Sequence, residues 1–489
     1  MMMTLHQAAQ AIAAQAQGAD AGFGGVSTDS RSIAAGELFV ALSGEHFDGH
    51  DYVADVLARG AAGALVSHEF AAAHPGLPLL GATDTRLALG ALAAYWRGRF
   101  AIPLIGITGS NGKTTVKEMC AAILRAQHGR ADSVLATVGN LNNDIGLPLT
   151  LLKLRPSHCA AVIEMGMNHV GEIDYLTHLA APTVAVVNNA QRAHLEGLGS
   201  VQDVALAKGE IFAGLAADGI AVFNADDAQA AVWRELSRDN RQLSFGLNQA
   251  ADVRGRFNAH GFGGDLHLVT PWGEIDLVLP VPGCHNARNA CAAAAAALAA
   301  GAAADAVRQG LAGFAGVKGR LQRRVGRHGA LVIDDSYNAN PDSMRAAIDV
   351  LASVPGKCIF VMGDMGEAGA AAGQFHDEIG GYAKSHGIDR LLCLGELSAA
   401  AAANFGEGGQ HFQRIEDLVK ALLAELDAQT TVLVKGSRFM KMERVVAAAV
   451  DEGAVVGPPQ GGASHQPEQA QPANSRRPLA GEGGRGKGE

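Results

Sequence analysis

The chain of 489 residues is 48% hydrophobic and 18% charged, with 62 glycines and 16 prolines, which excludes a largely disordered polymer and leaves room for several buried cores. Acids outnumber bases 49 to 39, a net charge of −10, so a protein living on nucleic-acid backbone charge is excluded and no nucleic-acid partner is expected. The six cysteines are scattered without a C-x-x-C pair, and no stretch reaches the ~18 unbroken apolar residues of a membrane helix, so disulfide scaffolds, zinc ribbons and membrane insertion drop out and a cytoplasmic protein is expected.

Residues 1–100 mix short strands (Leu38–Leu42, Ala64–Ser67) with helical stretches, and no Lys or Arg precedes Arg31, as a signal peptide would require. In residues 101–318, apolar runs alternate with helical patterns. Leu104–Thr108, Ala160–Glu164, Val184–Asn188 and Ile220–Asn224 each run into Gly, Asn or an acid, which predicts parallel strands, crossover helices and ligands at the strands' carboxyl ends. The alanine-rich run Cys291–Ala304 predicts a packed helix. Residues 319–456 repeat the α/β pattern with Leu331–Asp335, Cys358–Gly363, Leu391–Gly395 and Val432–Lys435. Residues 457–489 have no aromatic residue and no periodicity, which predicts a disordered tail. The tail's formal G-x-G-x-x-G (Gly481, Gly483, Gly486) follows no strand and carries no dinucleotide role.

The strongest signal is I-P-L-I-G-I-T-G-S-N-G-K-T-T, Ile102 to Thr115. A buried-type strand enters a Gly-rich turn and then a helix whose apolar residues Val116, Met119, Cys120, Ile123 and Leu124 repeat at helical spacing. Thr108, Gly109, Ser110, Asn111, Gly112, Lys113, Thr114 and Thr115 are therefore read as a nucleotide loop. Their backbone N–H groups converge on phosphate, Lys113 reaches the outer phosphates and Thr114 offers a hydroxyl to Mg²⁺. The strict G-x-x-x-x-G-K-[ST] pattern fails, because Ile107 stands where its first Gly would be. No N-K-x-D guanine reader occurs, so the base expected is adenine.

T-G-S-N-G-K-T-T is similar to the nucleotide loop of the Mur ligases, ATP-dependent enzymes that build the peptidoglycan stem peptide. The likeness continues to about Val450 through E-M-G (Glu164), N-N-A-Q-R-A-H-L-E-G (His194) and A-K-G-E-I-F (Lys208). It also includes G-C-H-N-A-R-N-A (Asn286, Asn289), K-G-R-L-Q (Arg320) and D-D-S-Y-N-A-N-P-D-S-M (Asp334 to Met344). The tyrosine in that last motif, M-G-D-M-G-E at Met362 and V-L-V-K-G-S-R at Val432 resemble the branch that adds D-alanyl-D-alanine. The D-N-P-R motif of the diaminopimelate-adding branch is absent. The resemblance implies an α/β, three-domain architecture: a small N-terminal α/β domain, a central P-loop parallel-sheet ATPase domain and a C-terminal Rossmann-like domain. It also implies amide synthesis from UDP-N-acetylmuramoyl-tripeptide and D-alanyl-D-alanine by way of an acyl phosphate, with ATP and one or two Mg²⁺ ions. A monomer is expected.

Site residues follow from the same resemblance. Lys113 supplies charge at the γ-phosphate. Thr114 and Glu164 hold one Mg²⁺, the alternative for Glu164 being a helix-cap acid. His194 is a ligand of a second ion or an ordinary loop histidine. Lys208 is either carbamylated, turning it into an anion that can hold magnesium, or an unmodified point charge. Asn289 contacts adenine, and Asn286 does the same or caps the helix that follows. Arg320 reaches the γ-phosphate, Asp335 (with Asp334 as fallback) takes the ribose hydroxyls, and Tyr337 stacks near the nucleotide. Asn340-Pro341 is read as a helix cap and first turn. Ser30 and Arg31 suit the UDP diphosphate, Phe39 the uracil, and Lys435 with Ser437 the dipeptide carboxylate. Lys113 and Asp335 fall in different domains, so the complete site is expected only on closure. Two other readings remain: another Mur ligase or folylpolyglutamate-type synthetase, and a regulatory P-loop NTPase, which leaves His194, Lys208, Asn289 and Asp335 without work. The third residue of the accepted tripeptide is not legible.

Overall fold

The computed structural model describes residues 1–192, 198–367 and 369–451, so the expected tail disorder and His194 lie outside the described residues. Three sheets, all within one compact unit of the chain, organise it. The first has five strands in the order Gln15–Gln17, Leu79–Ala82, Gly63–Ser67, Glu37–Val40, Gly25–Ser27, all parallel except the first pair.

The central sheet has nine strands. Val134–Ala136, Ala160–Glu164, Leu104–Thr108, Val184–Val187, Ile220–Asn224, Arg241–Gly246 and Val253–His260 run parallel in that order. Two antiparallel strands, Gly263–Thr270 and Gly273–Leu279, extend it. This meander corrects the expectation of alternating strands and helices throughout 101–318. The segment alternates with period two and turns at Gly261 (φ +57°) and Gly273 (φ +117°), so it has neither the length nor the pattern for crossover helices.

Helices Lys113–His128 and Cys284–Ala299 share one hydrophobic core with the central sheet. Ala292 to Ala297 are completely buried, and such small side chains let the second helix approach closely. Among the described residues no helix is long and apolar enough to cross a membrane. The third sheet has six strands in the order Gln322–Val325, Leu331–Asp335, Thr430–Lys435, Lys357–Gly363, Arg390–Leu394, Gly409–Phe412, parallel after the first pair. Each fully buried Val, Leu or Ile in these strands contributes about 1.5–3 kcal/mol on leaving water.

Candidate active site

The strand Leu104–Thr108 delivers the chain into the predicted phosphate loop, and the helix Lys113–His128 leaves it. Gly112 sits at φ +79°, and a Cβ there would come within 2.6 Å of both Asn188 Nδ2 and Asn289 Oδ1, so this position requires glycine. The loop is laced to the residues after the next strand. Asn189 O accepts from Ser110 N (3.0 Å), Asn189 Oδ1 accepts from Asn111 N (2.8 Å), and Ser110 Oγ accepts from Gln191 N (2.9 Å). Lys113 Nζ donates to Gly109 O (2.7 Å) and Ser110 O (3.4 Å), arched over the turn. Burial pushes its pKa down, and the Glu164 carboxylate opposes that shift. Thr108 Oγ1 is buried without a hydrogen-bond partner among the described residues.

Glu164, only 3% exposed, ends the neighbouring strand. Its Oε2 accepts from Thr114 Oγ1 (2.8 Å) and its Oε1 from Asn142 Nδ2 (2.8 Å). A buried carboxylate and a hydroxyl beside a phosphate loop form a hard-oxygen donor set that fits Mg²⁺. Among the described residues no group of three or more His, Cys, Asp or Glu forms a metal cage. Lys208, 1% exposed, has a pKa well below the usual lysine range, from burial first and the Lys113 charge second.

Arg320 crosses to this site from the segment preceding the third sheet. Its Nη2 donates to Thr114 Oγ1 (3.0 Å) and its guanidinium lies 4.4 Å from the centre of the Tyr337 ring. Asn289 and Asn286 form a chain: Asn188 Nδ2 donates to Asn289 Oδ1 (2.9 Å), Asn289 Nδ2 to Asn286 Oδ1 (3.3 Å), and Asn286 Nδ2 to Pro282 O (2.8 Å). Asn286 is thus tied back to Pro282 and does not cap its helix, which has no side-chain cap. Asn340 does cap, accepting from Ser343 N (2.9 Å) with Pro341 in the first turn.

Asp335 and Lys435 are brought together rather than left free for ligands. Lys435 Nζ donates to Asp335 Oδ2 (2.6 Å) and Asn338 O (2.9 Å), while Asp335 Oδ1 accepts from Leu321 N (3.1 Å). Burial pushes the Asp335 carboxyl up and the Lys435 charge opposes it. Ser437 Oγ accepts from Gly366 N (2.8 Å), joining two loops at the strand ends. Asp335, Lys435 and Ser437 line the same cavity of about 1230 Å³ as Lys113, Thr114, Glu164, Asn289 and Arg320.

Ser30, Arg31 and Phe39 do not line this cavity. Arg31 pairs with Asp29 of its own loop through two 2.9 Å bonds. Phe39 is 1% exposed and packed with Ala41, Val53 and Val56, so its ring serves the core and offers no face to uracil, contrary to the expectation for it. Sequence reasoning missed Asn142, Asn188, Asn189 and Arg192. The runs N-L-N-N-D and N-N-A-Q-R just beyond strand ends were the available signal, since amides there can lace loops.

The fold and the site define a three-part α/β protein with a glycine-rich loop of the P-loop kind between a strand and a helix, and a further α/β module whose Arg320 reaches that loop. The chain belongs to the Mur ligase family. Family models match at residues 23–96 (Mur ligase family, catalytic domain), 107–297 (Mur ligase middle domain) and 319–438 (Mur ligase, glutamate ligase domain). The UDP-N-acetylmuramoyl-tripeptide--D-alanyl-D-alanine ligase of Escherichia coli K12 is 45% identical over 92% of this chain and 99% of its own length. The structure of MurF from Acinetobacter baumannii superposes with a TM-score of 0.84 at 37% identity, covering 91% of this chain and 98% of that one. MurF ligase from Thermotoga maritima in complex with ADP gives a TM-score of 0.75 at 26% identity, covering 87% and 96%.

Proposed function

We infer that this chain is an ATP-dependent ligase that joins D-alanyl-D-alanine to UDP-N-acetylmuramoyl-tripeptide in peptidoglycan precursor synthesis in the cytoplasm. The observation that carries the reading is the convergence of Lys113, Thr114 and Glu164 with Arg320 in one cavity, in a chain so similar to ligases of that name over nearly its whole length.

The substrate carboxylate oxygen attacks the γ-phosphorus, ADP leaves, the dipeptide amine attacks the acyl carbon, and inorganic phosphate departs as the amide forms and the amine proton is released. Bringing anions together requires fixed positive charge, and Lys113 and Arg320, both lining the cavity, provide it. Thr114 and Glu164 would hold Mg²⁺, which supplies charge neutralisation across the phosphates. Asn289 would contact the base by the resemblance, with an amide that is bonded here to Asn188 and Asn286. Lys208, whose burial lowers its pKa and favours the neutral amine, is suited to react with carbon dioxide and become an anionic carbamate at this site. Lys435 fixes Asp335, so the ribose role of Asp335 uses an oxygen already oriented by that ammonium. Domain limits near residues 100 and 318 are supported by the strands, which fall within residues 15–82, 104–279 and 322–435, the limit near 456 lies outside the described residues, and the N-terminal sheet with Ser30 and Arg31 is the region for the UDP end.

The test is phosphate release by the purified chain with ATP and Mg²⁺, adding UDP-muramoyl-tripeptide and D-alanyl-D-alanine separately and then together. Release with both substrates only, and a product heavier by the dipeptide, is expected. Full release with neither would replace the ligase reading with an NTPase.

A further inference from the structure

Arg192 lies in the segment laced to the phosphate loop, and its guanidinium reaches two helices beyond the third sheet's strands, Pro341–Ala352 and Ala372–Ser385. Arg192 N donates to Asp342 Oδ2 (2.9 Å), and its Nε and Nη2 donate to Asp342 Oδ1 (3.1 and 2.7 Å). Nη1 donates to both oxygens of Glu378 (3.2 and 3.0 Å) and Nη2 to Glu378 Oε1 (3.2 Å). The guanidinium also sits 5.4 Å from the centre of the Phe375 ring, and Arg345 supports Glu378 from behind at 2.6 Å. All three partners of the ion-pair cluster are about three-quarters buried, so it is not a solvated surface pair. Beside it, Asn111 of the phosphate loop and Asn340 exchange amide bonds, Asn340 Nδ2 to Asn111 Oδ1 (2.8 Å) and Asn111 Nδ2 to Asn340 Oδ1 (3.2 Å).

We propose that Arg192 is a positioning residue for the ligase reaction: by forking between Asp342 and Glu378 it holds the C-terminal module against the phosphate loop in the arrangement that lets Arg320 reach the γ-phosphate. Only a planar, multi-donor cation serves two carboxylates and an aromatic face at once. Arg192 lines the same cavity, but its guanidinium is spent on Asp342 and Glu378, so its role is to position. It acts on Arg320 through the helices that it clamps, so its loss changes turnover rather than nucleotide affinity. The inference rests on the ligase reading for its rate measurement, and on scattering for its structural one.

The experiment uses the full chain and the variants Arg192→Ala, Arg192→Lys, Asp342→Asn/Glu378→Gln, and the triple variant R192A/D342N/E378Q. Arg192→Ala is expected to lower kcat by about 10- to 100-fold, the cost of a misplacement near 1 Å. Its ADP affinity by calorimetry stays within about twofold, because the loop's own bonds persist. Its radius of gyration by small-angle scattering with ADP and Mg²⁺ rises above that of the parent. Arg192→Lys recovers part of kcat, and the triple variant is no slower than Arg192→Ala, since all these changes remove one cluster. Unchanged kcat with an unchanged radius, or losses that add in the triple variant, would overturn the proposal. A parent chain inactive as a ligase would overturn the functional reading alone, and the radius would still decide the clamp.

Discussion

Lys435→Met makes the sharpest demand on the structure. Lys435 is 3% exposed and Asp335 9%, and their 2.6 Å contact is the principal compensation for burying a carboxylate at the cavity wall. With the ammonium gone, Asp335 keeps only the Leu321 N–H, and breaking one side of a buried pair costs about 3–5 kcal/mol. At about 2–4 °C per kcal/mol, the melting temperature falls by roughly 6–20 °C. The pH dependence has a definite sign. Burial raises the folded pKa of Asp335 above its unfolded value, and removing Lys435 raises it further. A carboxyl so raised holds its proton more readily in the folded chain, so the stabilising contribution is present at low pH and lost as pH climbs through the folded pKa. The deficit of Lys435→Met is therefore largest at neutral pH and shrinks on acidification. Adding Asp335→Asn to it removes the buried charge and restores most of the loss. Scanning calorimetry across a pH series measures all three outcomes. A Lys435→Met chain within about 0.5 kcal/mol of the parent at neutral pH, or a deficit that does not change with pH, would refute the pairing argument.

Gly112→Ala combines about 1–2 kcal/mol of left-handed backbone strain with loss of the Asn188–Asn289 bond, about 1 kcal/mol, so ADP affinity by calorimetry falls about 30- to 150-fold; unchanged affinity would mean that the turn does not bind phosphate. Glu164→Gln keeps an acceptor for Thr114 or Asn142 but removes the anion, so half-maximal activity needs at least about tenfold more Mg²⁺ with melting little changed, measured by a metal titration of phosphate release. Depleting bicarbonate lowers the ligase rate and adding it back restores the rate, with a carbamate carbon visible by NMR after labelling with carbon-13. Burial and Lys113 lower the Lys208 pKa well below the usual lysine range and so favour the amine that carbon dioxide needs, and acidification, which protonates amines and releases carbamates, removes both the signal and the activity.

The parallel strands were legible because each is a short, continuous apolar run ending at a polar turn, and Leu104–Thr108, Ala160–Glu164 and Ile220–Asn224 fall within the same bounds in the structure. The meander from Val253 to Leu279 was not, since its alternation is half polar and its strands sit at a sheet edge with one face in water. The phosphate loop was legible because chemistry fixes residue types at fixed spacing along the chain. Arg192, Asp342 and Glu378 were opaque for the opposite reason. Their pairing joins positions 150 and 186 residues apart and leaves no local pattern. Phe39 misled because an aromatic at the end of a strand serves a core as readily as a ligand.

The contacts around Thr114 explain why catalysis here belongs to the assembled molecule and not to the loop. One hydroxyl donates to Glu164 and accepts from Arg320, while Lys113 spends its donors on the neutral carbonyls of Gly109 and Ser110. On the proposed reading, phosphate binding would exchange those neutral acceptors for anionic ones, and charge-assisted bonds are about twice as strong as neutral ones. Lys113 would make that exchange from the central sheet alone. Arg320 makes it only when its own segment is docked, with Tyr337 beneath its guanidinium and Asn340 bonded to Asn111. On the proposed reading, affinity for nucleotide resides in the loop and the charge completing the transition state arrives with the second module, so variants at Gly112 and at Arg192 are expected to separate into binding defects and turnover defects.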